Sequence, residues 1–208
     1  MQIGTKSILF GAHQFMLHPW FVAAAWWKLY GFPWDPRLWV AFFVHDLGYL
    51  GKPNMDGPEG ERHPELGAWI MTKLFDRSRP FAHFSHYVVR EAGRRDWLCG
   101  KWGQFCMFHS RFYAHRAHEN VSKLGVADKL AIVLTPAWLY FPMVKATGEV
   151  REYMSMAKAW HGSGTDERQW YADVQDYLRN WVEVHKDGRP DTWTGDLRKA
   201  KTDSGVWQ

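Results

Sequence analysis

Pro36-Arg37-Leu38-Trp39-Val40-Ala41-Phe42-Phe43-Val44-His45-Asp46-Leu47-Gly48 is the stretch on which the fold turns. Proline at its start pre-sets φ for a first helical turn. Leu38, Ala41, Phe42 and His45 then recur at three- and four-residue spacing, which is the period of one helix face. Gly48, Gly51 and Pro53 end that helix. The same period extends upstream, where Pro19 opens a helix running through Val22, Ala25, Trp26 and Leu29 to a stop at Gly31. Downstream, residues 51–62 carry Pro-Asn, Asp-Gly and Pro-Glu-Gly turn chemistry and read as a loop. His63-Pro64-Glu65 begins the next helix, with Leu66, Ile70 and Leu74 as its expected apolar face. Further helices are predicted over 81–92, 105–116, 150–160 and 165–184, and over the run Val121, Leu124, Ala127, Leu130, Val133. No segment alternates with period two for long enough to be a strand. The predicted fold is all-α, a helical bundle with residues 1–185 as one domain and 186–208 as a polar tail that frays.

Composition narrows the functional classes. Of 208 residues, 46% are apolar, with 14 Trp, 13 Phe and 8 Tyr, which excludes a disordered chain. Trp26, Trp27, Trp34 and Trp39 are expected in the core, with base stacking as their other use. Cys99 and Cys106 lack a zinc-knuckle or redox spacing and are expected to be reduced thiols. The net charge of +4 suits a phosphorylated small molecule and falls short of a dedicated nucleic-acid binder. Residues 90–101 mix basic and aromatic side chains, but read as a solvated helix end. The one membrane-like stretch, Ile8 to Phe32, is broken by His13, Gln14, His18, Pro19 and Lys28, and is expected to be a buried aromatic helix rather than a span. A cytoplasmic protein follows as the expectation, with homo-oligomerisation left open.

Histidine carries the chemical signal. Nine of the 11 histidines precede position 120. His45-Asp46 alone says little, since composition supplies such a dipeptide by chance. His18 and Asp128, however, are polar groups on the most apolar helices, where an unsatisfied imidazole or carboxylate costs several kcal/mol. One divalent cation satisfies all four, with imidazole nitrogens from His18 and His45 and oxygens from Asp46 and Asp128. His13, five residues before His18, competes for the first position from a different helix face.

The order His18-x-x-x-Val22-Ala23, Ala41-x-x-x-His45-Asp46-Leu47-Gly48 and Val126-Ala127-Asp128 resembles the HD-domain superfamily of metal-dependent phosphohydrolases, over residues 13–135. The resemblance implies an all-α fold and hydrolysis of a phosphate ester or anhydride, and it carries over to His18, His45, Asp46 and Asp128 as ligands of a divalent metal (Mn, Fe, Co, Ni, Zn or Mg). His63 in His-Pro-Glu-Leu-Gly-Ala and His109, 19 residues before Asp128, resemble the extra ligands of the two-metal branches; His86 competes with His109. Asp46 is then the expected bridge and the catalytic carboxylate. The His-His and Gly-Tyr-Pro signatures of HD-GYP proteins are missing, which argues against cyclic dinucleotide cleavage. Phosphate-stabilising charge is expected from Arg111 and Lys52, with Lys129 read as a surface charge. Glu59, Glu61 and Glu65 are the candidate general acids, none singled out by spacing. The expected substrate is a nucleotide: a nucleoside mono- or triphosphate, or a dinucleoside polyphosphate. The rivals are an HD-type di-iron oxygenase and a non-catalytic nucleotide-binding protein.

Overall fold

The computed structural model describes residues 1–76, 100–161 and 166–193. The helix predicted over 81–92, with His83 and His86, and most of the 90–101 stretch lie outside them. Among the described residues there are ten α-helices and no strand: α1 (Ile3–Phe10), α2 (His18–Tyr30), α3 (Pro36–Val44), α4 (Pro64–Phe75), α5 (Lys101–Met107), α6 (Arg111–Ala117), α7 (Lys123–Leu134), α8 (Ala137–Thr147), α9 (Glu149–His161) and α10 (Glu167–His185). Two 3₁₀ turns, Leu47–Tyr49 and Gly60–Arg62, lie between α3 and α4. The chain is all-α, as its periodicity predicts.

Local chemistry sets the helix starts. The Asp35 carboxylate accepts from the Arg37 amide, Ser122 from Gly125 and Asp166 from Gln169, each satisfying an amide the first turn leaves unbonded. Pro19, Pro36 and Pro64 occupy first turns, where a missing N–H costs nothing. The main core gathers Val22, Ala25 and Trp26 of α2, Phe42 of α3, Met71 of α4, Met107 of α5, Leu124 and Ala127 of α7, and Trp181 of α10. Helix α2 lies along α7, and α4 along α5. A smaller cluster joins α8 to α10, where Tyr140 stacks on Tyr171 with centroids 4.2 Å apart.

Several expectations need correcting. The helix predicted over 105–116 is two helices, α5 and α6, with His109 in the break between them. In α4 the buried positions are Pro64, Glu65, Gly67, Ala68, Met71 and Thr72, while Leu74 is exposed. Small residues win that face because α4 approaches the backbone of Val44 and His45 at Gly67, leaving no room for leucines. The sequence reading places no helix over 137–147, yet α8 forms there around Pro142, burying Tyr140, Val144 and Thr147. Trp26 is buried as expected, but Trp27 and Trp34 are exposed. Residues 186–193, read as the start of a fraying tail, are tied down: Asp191 accepts from Arg111 Nε at 2.8 Å and from Trp181 Nε1 at 3.1 Å. Cys106 is fully buried in the main core.

Glu149 is a fully buried carboxylate that no sequence pattern singles out. It accepts from Thr147 Oγ1 at 2.6 Å, Tyr153 Oη at 3.2 Å and the Ala12 amide at 3.3 Å, and lies 3.8 Å from His13 Nδ1. Burial works to raise its pKa, but the hydrogen bond and charge of His13 outweigh it and hold the carboxyl below its ordinary value of 4.5. A depressed carboxyl stabilises the fold above its unfolded-state pKa and loses that contribution as pH falls through the folded one. Glu149→Gln is therefore expected to flatten the loss of stability below about pH 4.5. Glu149→Ala should cost about 3–5 kcal/mol by stranding its partners. Urea melts of the three proteins across pH check both.

Candidate metal centre

Three of the candidate ligands share one local design. His45 directly follows the last residue of α3, His63 directly follows the Gly60–Arg62 turn, and His109 lies two residues beyond the end of α5. A helix end leaves carbonyls without intrahelical partners. In each case the histidine Nδ1–H donates to the carbonyl three residues earlier: His45 to Phe42 at 3.0 Å, His63 to Gly60 at 2.8 Å, His109 to Cys106 at 2.5 Å. With Nδ1 holding the proton, Nε2 presents a lone pair, the form in which a neutral imidazole ligates a metal. His18 comes from the first residue of α2 and Asp128 from the middle of α7, so the packing of α2 on α7 brings them together.

The side chains converge in two groups that share Asp46. In the first, His18 Nε2 lies 3.0 Å from Asp128 Oδ1 and 3.4 Å from Asp46 Oδ2, and His45 Nε2 lies 3.1 Å from Asp46 Oδ2. In the second, Asp46 Oδ1 lies 3.6 Å from His63 Nε2 and 3.4 Å from His109 Nε2, with the two ring nitrogens 3.0 Å apart. All six residues are buried. Donors held about 2.1 Å from a common cation stand roughly 3.0–3.4 Å from one another, close to the 3.0–3.7 Å found in the two groups.

Two observations test whether a cation fits. His45 Nε2 and Asp46 Oδ2 are buried 3.1 Å apart with no other hydrogen-bond partner, an arrangement that costs several kcal/mol unless a proton or a metal ion lies between them. His63 Nε2 and His109 Nε2 face each other with both Nδ1 atoms engaged on carbonyls, so two lone pairs meet at 3.0 Å unless positive charge lies between them. The residues fit a divalent cation in each group.

The electrostatics agree. Burial opposes charge on His45, yet the carboxylates of Asp46 and Asp128 raise it to about 10. His63, by contrast, is pushed well below its ordinary value by burial and by neighbouring His109, and stays neutral. Burial likewise lowers His18. Asp46 and Asp128 are held well below the carboxylate range against their burial, the first chiefly by His45 and the second chiefly by Lys129. Without a metal, a proton on His45 and the Lys129 ammonium balance the carboxylates of Asp46 and Asp128; a bound cation would displace the His45 proton.

No known protein family, curated protein or solved structure matches the chain. What stands is a helical fold around buried His/Asp groups that could hold metal, compatible with an HD domain and with a metal-dependent hydrolase.

The other sequence-derived candidates are placed as follows. His13 is not in either group; its ring lies 5.6 Å from that of His18 and 5.0 Å from that of Tyr49, and its Nδ1 bonds Ser7 Oγ at 3.0 Å. Lys129, expected as a surface charge, is instead drawn inward: its Nζ donates to Asp128 Oδ2 at 2.8 Å with a quarter of the side chain exposed. Arg111 points to Asp191 and also donates to Tyr177 Oη at 3.1 Å, with its guanidinium over the Trp181 ring. Lys52 is half-buried after the Leu47–Tyr49 turn. Glu65 is buried on α4, bonded by Arg62 and by Tyr113 Oη, while Glu59 is exposed and accepts from Asn54. Tyr49, absent from the sequence candidates, stacks on His63 at 4.0 Å and 9°, and holds that ring flat. A small cleft with room for about one water, lined by His13, Phe15, His18, Phe43, His45 and Asp46 among others, adjoins the first group.

Proposed function

We propose that the chain is an HD-type metal-dependent phosphohydrolase acting on a nucleotide or other small phosphorylated molecule, with one ion held by His18, His45, Asp46 and Asp128 and a second by Asp46, His63 and His109. The observation that carries this reading is the position of Asp46, whose two carboxylate oxygens face different groups of imidazoles. Bound there, a pair of divalent ions supplies Lewis-acid polarisation of a phosphoryl oxygen and lowers the pKa of water. The chain's own residues do the rest. The carbonyls of Phe42, Gly60 and Cys106 fix three rings in the ligating tautomer. Lys129 orients Asp128 through its free oxygen and balances part of the site's charge. The surrounding core of Val22, Phe42 and Leu124 keeps bulk water away, which strengthens every charge interaction inside. Lys52 and Arg111 are the phosphate-side groups of this reading; Arg111 reaches a substrate only by leaving Asp191.

Four imidazoles to two carboxylates is a nitrogen-rich set that favours Mn²⁺, Fe²⁺, Co²⁺ or Zn²⁺ over Mg²⁺. The same richness supports the rival, a di-iron oxygenase. Chain purified with these metals should hold about two ions by elemental analysis, and His109→Ala should bring the count toward one. A nucleotide screen under air and under argon separates the two chemistries. Phosphate release unaffected by oxygen supports the hydrolase, whereas turnover only in air overturns it. One ion in both proteins would leave His63 and His109 as structural residues.

A further inference from the structure

Apart from His18 at its start and Lys28 in its last turn, helix α2 is apolar on every side. Inward it buries Val22, Ala23, Ala25 and Trp26; outward it exposes Trp20, Ala24 and Trp27. A helix hydrophobic all round belongs in a core or against an apolar partner, and this one has its outer face uncovered. The exposed tryptophans belong to a continuous chain of rings: Phe15 touches Phe43, Phe43 touches Trp20, Trp20 touches Trp39, Trp39 touches Phe32, and Phe32 touches both Trp27 and Trp34, with centroids 4.5–6.5 Å apart. Trp20, Trp27 and Trp34 are 55, 61 and 84% exposed. At roughly 200 Å² per ring, these three alone leave about 400 Å² of aromatic surface in water. Patches of that size on a folded chain mark an interaction surface.

The charges around the ridge point to its partner. From Ser7 to Trp27 the chain carries no Asp, Glu, Lys or Arg. Exposed Lys28 on α2 and exposed Lys101, whose charge reaches Asp35, flank it, while Asp35 and Arg37 neutralise each other in a 2.6 Å pair. Tryptophans that project from turns and helix faces, rimmed by basic groups, are the composition of a surface that rests in a lipid interface. No single helix among the described residues is long and apolar enough to cross a membrane. Phe15 and Phe43, the first rings of the chain, also line the small cleft that adjoins His18, His45 and Asp46.

We propose that the Phe15–Trp34 aromatic ridge docks the protein on a lipid bilayer surface carrying anionic headgroups, with the mouth of the His/Asp cleft at headgroup level. The docking itself does not depend on the metal chemistry. The test is sedimentation with phosphatidylcholine vesicles, with and without phosphatidylserine, of the full chain in the presence and absence of a chelator. The wild-type chain is expected to partition onto the vesicles in both conditions, more strongly with phosphatidylserine and less at high salt. Trp20→Glu/Trp34→Glu should reduce partitioning by roughly tenfold or more, at unchanged melting temperature and metal content. Trp138→Glu, which alters an equally exposed tryptophan on α8, controls for loss of any surface aromatic and should bind as the wild type does. Absence of vesicle binding by the wild type overturns the proposal. So does a concentration-dependent dimer that the double variant abolishes and that does not bind vesicles, since the ridge then meets a second copy. A chain that binds vesicles but no metal would overturn the phosphohydrolase reading alone.

Discussion

Asp46→Ala is expected to abolish hydrolysis and to leave the helical signal intact. The carboxylate is the only group shared by both clusters, so its removal takes one donor from each and deletes the bridge between them. The loss should exceed the roughly 10²–10³-fold that one missing electrostatic contact costs, because the ions themselves are lost. Metal content should fall below one ion per chain. Asp46→Asn sharpens the test: it preserves shape and one oxygen, yet leaves four imidazoles with a single remaining carboxylate, Asp128. Near-wild-type turnover in either variant would remove Asp46 from the centre and sink the hydrolase reading with it.

The second large effect is expected at a residue with no side chain. Gly48 packs so closely on His63 that a Cβ there would overlap the His63 carbonyl oxygen and carbonyl carbon. Backbone on backbone cannot yield by a rotamer change, so Gly48→Ala must move the Gly60–His63 turn. Overpacking of this kind costs about 1–3 kcal/mol or more. The displaced ring is the one that donates to Gly60, stacks on Tyr49 and faces His109. We expect a lower melting temperature together with a fall from two ions toward one, while His18, His45 and Asp128 keep the first. Gly125→Ala does the same for His109, whose carbonyl oxygen would lie 2.5 Å from the new Cβ. An unchanged metal count in both variants would detach the second ion from His63 and His109.

Helix period and breaker residues made the all-α fold readable, because an amphipathic face leaves its spacing in the sequence. They failed where the deciding quantity was distance between backbones. Gly67 and Ala68 of α4 face the core although Leu66 and Leu74 are more apolar, and hydropathy does not record how closely two helices approach. Six residues singled out by motif order meet in space, because polar groups on apolar helices need a common partner. Lys129 reads as a surface charge for a related reason: it directly follows Asp128, and spacing does not show its ammonium turned back onto that carboxylate. The Glu149–His13 pair joins residues 136 positions apart, which no local pattern can signal. Trp27 and Trp34 were assigned inward on composition alone, whereas an aromatic helix can be apolar on a side that nothing covers.

His45, His63 and His109 each close a helix or turn by bonding the carbonyl three residues back, and this separates the number of ions from the stability of the fold. Each histidine is a capping residue first and a ligand second. Asparagine can donate to the same carbonyl without supplying a ring nitrogen, so on the two-ion reading a single codon change at His63 or His109 is expected to lower the ion count to one while the chain still folds. On the two-ion reading the second ion is thus a detachable trait, one substitution at a helix end away from being lost without loss of the scaffold.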